Sequence, residues 1–80
     1  MSNEVWQRRH RKKLMRKNPH CSYCNRRLTA TTVTLDHEVP RALGGSEMRH
    51  NLVLACFDCN QRKADMPPEK FRAMIAKGNA

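Results

Sequence analysis

Two cysteine pairs, and an acid–imidazole pair midway between them, are the residues that can carry chemistry. Cys21-x-x-Cys24 and Cys56-x-x-Cys59 account for every cysteine in the chain. Two such turns each present two thiolates to one tetrahedral centre, the geometry that structural Zn²⁺ prefers. The stretch between them exceeds the roughly 15–20 residues of a simple zinc ribbon and suits a strand–loop–strand hairpin. A redox CxxC and two disulfides are the competing readings, and the two spaced pairs favour zinc. His20 adjoins Cys21, but four thiolates already fill the shell, so it is read as a surface or supporting histidine.

Between the pairs runs LDHEVPRALGG, residues 35–45. A carboxylate and a neutral imidazole side by side on a basic surface are components of metal-assisted phosphodiester hydrolysis. Asp36 would hold a hard divalent cation. His37 would take a proton from the attacking water near neutral pH. The metal would offset charge on the phosphate and the leaving oxygen. Strand geometry complicates this picture. Alternation puts Asp36 and Glu38 on one face and His37 on the other. Either the strand ends at Asp36 and the backbone turns, or the acid pair is Asp36 and Glu38. Pro40 favours an early end to the ladder. Asn60 directly follows Cys59, and neighbouring helical residues diverge by about 100°. A short helix can therefore show its cysteines to zinc and Asn60 to the hairpin. Lys63 would share that face and reach a phosphate. Asn51 would tie down the long loop through backbone hydrogen bonds.

The elements that must position these groups follow from composition. Residues 3–17 lack glycine and proline and predict a helix, capped by Ser2 or Asn3 and stopped at Asn18-Pro19. The β-branched run TATTVTL predicts a strand over roughly 31–36. A loop punctuated by Pro40, Gly44 and Gly45 spans 40–50, and NLVLAC predicts a second strand over 51–56. FDCNQRKAD reads as a short helix over 57–65. A C-terminal helix over 66–80 follows, with Pro68 in its first turn. Phe71, Met74 and Ile75 would be its docking face.

The chain has 80 residues and is expected to form one domain, with its core at about 19–65 and basic and C-terminal helices at 1–18 and 66–80. So short a chain buries little apolar surface and needs a staple. No apolar run approaches the ~20 residues of a membrane span. The N-terminus shows no apolar secretion signal. The expected setting is a cytoplasm, bacterial or phage-infected, where paired cysteines bind metal. Net charge is +9, from 16 basic and 7 acidic residues. This implies a polyanionic partner, most often nucleic acid; no membrane is expected, because no apolar stretch is long enough to span one. Seven basic residues lie between Arg8 and Lys17. The one-signed run, with Arg8, Arg9, Arg11, Lys12, Lys13 and Arg16, reads as a phosphate-tracking arm rather than a solvated face. His10 belongs to that arm, and His50 has no assignment.

CSYC, LDHEVPRALGGSEMRHNLVLAC and CFDCNQRK together resemble the HNH endonuclease family, the zinc-stapled branch of the ββα-metal (His-Me finger) nucleases. The resemblance implies an α+β fold: a small zinc-stapled ββα-metal finger with a basic N-terminal helix and a C-terminal helix. It implies that Asp36 and Asn60 bind the catalytic ion and that His37 is the general base. It further implies that Asn51 braces the loop and that Cys21, Cys24, Cys56 and Cys59 hold structural Zn²⁺. It favours Asp36 with His37, and Glu38 facing elsewhere. The sequence departs from the family name in having Asn60 where the final histidine would stand. An amide oxygen suits Mg²⁺ or Mn²⁺ better than softer ions. Arg41, Arg62 and Lys63 join the basic arm as expected phosphate contacts. The expected function is metal-dependent hydrolysis of DNA with little sequence specificity, alone or within a larger phage or restriction assembly. The competing readings are a non-catalytic zinc-knuckle binding module and an adaptor to a larger phage nuclease complex. The oligomeric state does not follow from the sequence.

Overall fold

The computed structural model describes residues 3–79. The expected cap at Ser2 lies outside them. Helix α1 (Asn3–Lys17) is a single basic helix. It ends before Pro19, whose ring disfavours helical backbone at Asn18. Strands β1 (Val33–His37) and β2 (Leu52–Cys56) form an antiparallel hairpin, pairing Val33 with Cys56 and His37 with Leu52. Helix α2 (Phe57–Lys63) follows β2 without a linker. Helix α3 (Pro68–Met74) starts with Pro68 in its first turn and continues into a wider final turn from Ile75, which breaks at Gly78, where φ is 86°. This architecture is the expected α+β finger with flanking helices. No helix among the described residues is long and apolar enough to cross a membrane.

The element boundaries depart from expectation where local hydrogen bonds compete. β1 begins at Val33, not at 31, because the threonines turn first. Thr29 N–H donates to Thr32 Oγ1 at 2.9 Å, and Val33 N–H donates to Thr29 O at 3.0 Å. Short hydroxyl side chains offer the backbone such alternatives to a ladder. The loop over 40–50 carries two 3-10 turns, Arg41–Leu43 and Arg49–Asn51, so Asn51 precedes β2 rather than opening it. α2 stops at Lys63, where Ala64 adopts φ 45°.

β2 is buried at every residue but Val53, because both of its faces are covered. On one side the first cysteine turn docks through Ser22 N–H to Leu54 O at 2.9 Å, and His10 of α1 meets Leu52 O at 3.1 Å. The core gathers Tyr23, Leu28, Leu54, Ala55 and Phe71 around the four cysteines. Phe71 has no exposed surface and meets the Tyr23 ring edge-on at 5.3 Å. Met74 and Ile75 pack against the same cluster, so the expected α3 stripe is core.

Candidate active site and metal centre

The cysteines come together as their spacing requires. All four are free thiols, and their sulfurs lie within 4.8 Å of one another. Cys24 and Cys56 are 3.9 Å apart at sulfur. A tetrahedral ion with ~2.3 Å metal–sulfur bonds spaces its sulfurs by about 3.8 Å. The set therefore fits such an ion. Backbone donors surround the sulfurs: Tyr23 N–H reaches Cys21 Sγ and Cys59 N–H reaches Cys56 Sγ, both at 3.4 Å. At Cys21, burial raises the thiol pKa, but N–H groups from Cys24, Cys56 and Tyr23 outweigh it and the net direction is down. Burial pushes Cys24 and Cys59 up. His20 pairs with Asn18 Oδ1 at 2.7 Å and takes no place in the cluster.

The second group is built on β1 and α2. Thr34 and Asp36 share one face of β1. Asn60 and Lys63, three residues apart, share one face of α2. The two faces meet: Asn60 Nδ2 donates to Thr34 Oγ1 at 2.9 Å, and Lys63 Nζ lies 3.1 Å from Asp36 Oδ2. Asp36 is buried, and Tyr23 O–H donates to the same Oδ2 at 2.6 Å. Burial, then the Asp36 hydrogen bond, raise the Tyr23 pKa far above the phenol range, so Tyr23 stays a donor. Neither named contact uses Asp36 Oδ1, and the Asn60 bond does not use Oδ1 of the amide. These two oxygens lie on facing elements and are of the donor type that hard divalent cations take.

His37 does not join that layer. β1 stays extended through it, because His37 pairs with Leu52 and Glu38 N–H donates to Asn51 O at 2.8 Å. Alternation therefore persists, and it corrects the expectation that Glu38 faces elsewhere. Glu38 accepts from Arg72 at 2.8 Å, and the Arg72 guanidinium lies 4.9 Å from the centre of the Tyr23 ring, on the Asp36 side. The His37 imidazole turns the other way. Its side chain is 27% exposed, and Nε2 lies 3.0 Å from Glu47 Oε1. The other Glu47 oxygen pairs with Arg41 at 2.6 Å. The His37 hydrogen bond, helped by Arg41, lowers the Glu47 pKa.

Asn51 clasps the loop as its residue type predicts. Its Oδ1 accepts from Val39 N–H at 2.9 Å, and its Nδ2 donates to Val39 O at 3.0 Å and Ser46 O at 2.8 Å. The paired glycines are explained at the same place. Gly44 takes φ 88° to end the first 3-10 turn. A Cβ on Gly45 would fall 1.7 Å from Val39 O.

The expected phosphate contacts divide. Arg8, Arg9, Lys12, Lys13 and Arg16 are exposed along α1, Arg11 is half-buried, and Arg41 and Arg62 are exposed. Lys63 is a correction: it is 1% exposed, and its Nζ is committed to Asp36 and, at 3.0 Å, to His37 O. Packing of α2 on β1 turns this cation inward, where no phosphate reaches it. Arg9, Lys13, Lys17 and Arg49 line a groove together with Trp6, His10 and Leu14. Tyr23 and Glu47 are participants that sequence reasoning missed. Tyr23 reads as a spacer between two cysteines, and Glu47 sits in an aperiodic loop. Neither carries a local signal.

Residues 21–76 match the family model described as HNH endonuclease. Two curated relatives are CRISPR-associated endonucleases Cas9. That of Corynebacterium diphtheriae is 42% identical over 55 residues, 68% of this chain and 5% of the relative. That of Actinomyces naeslundii is 44% identical over 48 residues, 59% of this chain and 4% of the relative. The crystal structure of the Type II-C Cas9 enzyme from Actinomyces naeslundii superposes with a TM-score of 0.73 at 31% identity, covering 82% of this chain and 7% of that one.

Proposed function

Because this chain belongs to the HNH endonuclease family, we propose that it hydrolyses DNA phosphodiester bonds using Asp36, His37 and Asn60. The observation that carries this reading is the β1–α2 contact. It gathers an acid and an amide on facing elements while the adjacent imidazole keeps solvent access. Asp36 and Asn60 would hold a Mg²⁺ or Mn²⁺ ion, hard cations that suit oxygen donors. When bound, such an ion neutralises charge on the scissile phosphate and the leaving oxygen. The protein's own groups do the rest. His37 accepts the proton of the attacking water as its oxygen bonds to phosphorus. The bond from phosphorus to the leaving oxygen breaks, and that oxygen takes a proton from solvent. Tyr23 and Lys63 fix the Asp36 carboxylate, and Asn51 holds the loop. Zn²⁺ in the four-cysteine site would be structural, since four thiolates leave no open position.

The basic residues of α1, with Arg41 and Arg62, would grip the DNA backbone. Phosphate contacts carry no sequence information, so cleavage should be close to sequence-independent. The small share of each relative that this chain covers fits a domain that larger machinery would direct to its target.

The test is nicking of supercoiled plasmid with Mg²⁺ or Mn²⁺. Wild-type protein should nick. His37→Ala should lose about 10²–10⁴-fold in rate, the contribution of a general base, while still binding DNA. Asp36→Ala and Asn60→Ala should lose metal-dependent activity. DNA binding without cleavage under any divalent ion would favour a non-catalytic zinc-knuckle module. Cleavage only after a larger partner is added would favour an adaptor role.

A further inference from the structure

Resting on the reading of His37 as the general base, we infer that Glu47 is its positioning residue, a carboxylate that fixes the imidazole's orientation and tautomer. The Nε2–Oε1 contact is 3.0 Å. An ionised carboxylate only accepts hydrogen bonds, so Nε2 must carry the hydrogen. In the neutral ring this leaves the lone pair on Nδ1, which becomes the atom that takes the water proton. A carboxylate behind an imidazole does this job in other hydrolytic sites, where it sets ring orientation rather than receiving the proton.

Glu47 is itself held. Arg41 takes its second oxygen at 2.6 Å. Its neighbours on both sides are anchored: Asn51 Nδ2 donates to Ser46 O at 2.8 Å, and Met48 N–H donates to Ser46 Oγ at 2.9 Å. The chain from Asn51 through Ser46 to Glu47 thus supports His37 from a loop ten positions along the sequence. This gives the loop a use beyond closing the hairpin. It also gives Asn51 an effect on the base without any contact to it. His37 has solvent on one side, and removing Glu47 frees its ring to sample other rotamers.

The experiment measures plasmid cleavage by Glu47→Ala, Glu47→Gln and His37→Ala beside wild type, each checked for a native melting curve. Glu47→Ala should lower kcat by about 10–100-fold, less than loss of the base itself, with KM within about two-fold. Glu47→Gln keeps an acceptor oxygen and should recover most of the rate. If Glu47→Ala cleaves as fast as wild type or faster while His37→Ala is inactive, Glu47 does not position the base, and the assignment of His37 stands. If His37→Ala cleaves normally, the assignment of the base fails and this inference fails with it. A second readout needs no activity. In ¹⁵N-labelled protein with its imidazoles neutral, the two His37 ring nitrogens should show widely separated shifts of an Nε2–H ring. The separation should narrow in Glu47→Ala. Identical shifts in the two proteins would overturn the inference.

Discussion

Lys63 has a buried ammonium between the Asp36 carboxylate and the His37 carbonyl, with the Tyr23 ring 5.8 Å from its nitrogen. A cation with this little exposure is tolerable only because it is paired, and removing one member of such a pair leaves the other buried and unpaired. We expect Lys63→Met to lower stability by about 3–5 kcal/mol, read from thermal melting of the zinc-loaded protein. The double variant Asp36→Asn/Lys63→Met should be less destabilised than the sum of its parts, since the two groups share one contact. A Lys63→Met protein within about 0.5 kcal/mol of wild type would show the pair to be inconsequential. The same pair serves the proposed chemistry. Asp36 is a buried acid whose charge is balanced by Lys63, which would hold the carboxylate in place for the proposed ion.

Among the elements, α2 is the one on which both centres depend. It begins one residue after β2, and its N-cap is Cys56, whose sulfur accepts from Cys59 N–H. One turn later the same helix presents Asn60 and Lys63 to β1. Seven residues make a helix too short to hold by itself in water. Its start is pinned through the cysteine cluster. Chelating the metal, or replacing Cys56 by Ala, should therefore unfold the chain rather than merely slow it. Circular dichroism should show loss of helix and of a cooperative melt, restored by adding Zn²⁺ to the chelated protein. An apo-protein with native circular dichroism and an unchanged melting temperature would refute this.

At the scale of the whole molecule, charge is arranged as well as abundant. The net charge is +9. One exposed run of it lies on α1, whose His10 touches Leu52 of β2, the residue paired with His37 across the hairpin. Replacing Arg8, Arg9, Lys12 and Lys13 together by Gln should weaken DNA binding uniformly across sequences. The slope of log K against log salt should shrink by about 0.9 for each phosphate no longer neutralised. Titrations at several ionic strengths check this, and an unchanged slope would remove α1 from the interface. These four side chains are exposed and stand outside the buried β1–α2 layer, so the folded state should keep its melting temperature.

The cysteine cluster, the hairpin, the α1 boundary and the loop-bracing Asn51 were legible in the residues themselves. Each is encoded by spacing of a few positions: two cysteines three apart, β-branched runs, a proline after a helix, a glycine pair in a loop. The side of β1 that Glu38 takes was legible in strand alternation, and only the family resemblance pointed away from it; the placement of Lys63 was not legible, nor were the parts played by Tyr23 and Glu47. Lys63 reads as one more surface cation until α2 packs on β1 and closes solvent off from it. Tyr23 meets Asp36 across 13 positions, Lys63 meets His37 across 26, and Glu47 meets His37 across a loop. Local pattern determines which groups are present and which way a strand turns them. Only the docking of distant elements decides which groups are buried together, because desolvation and hydrogen-bond partners are properties of the packed interior, not of the chain.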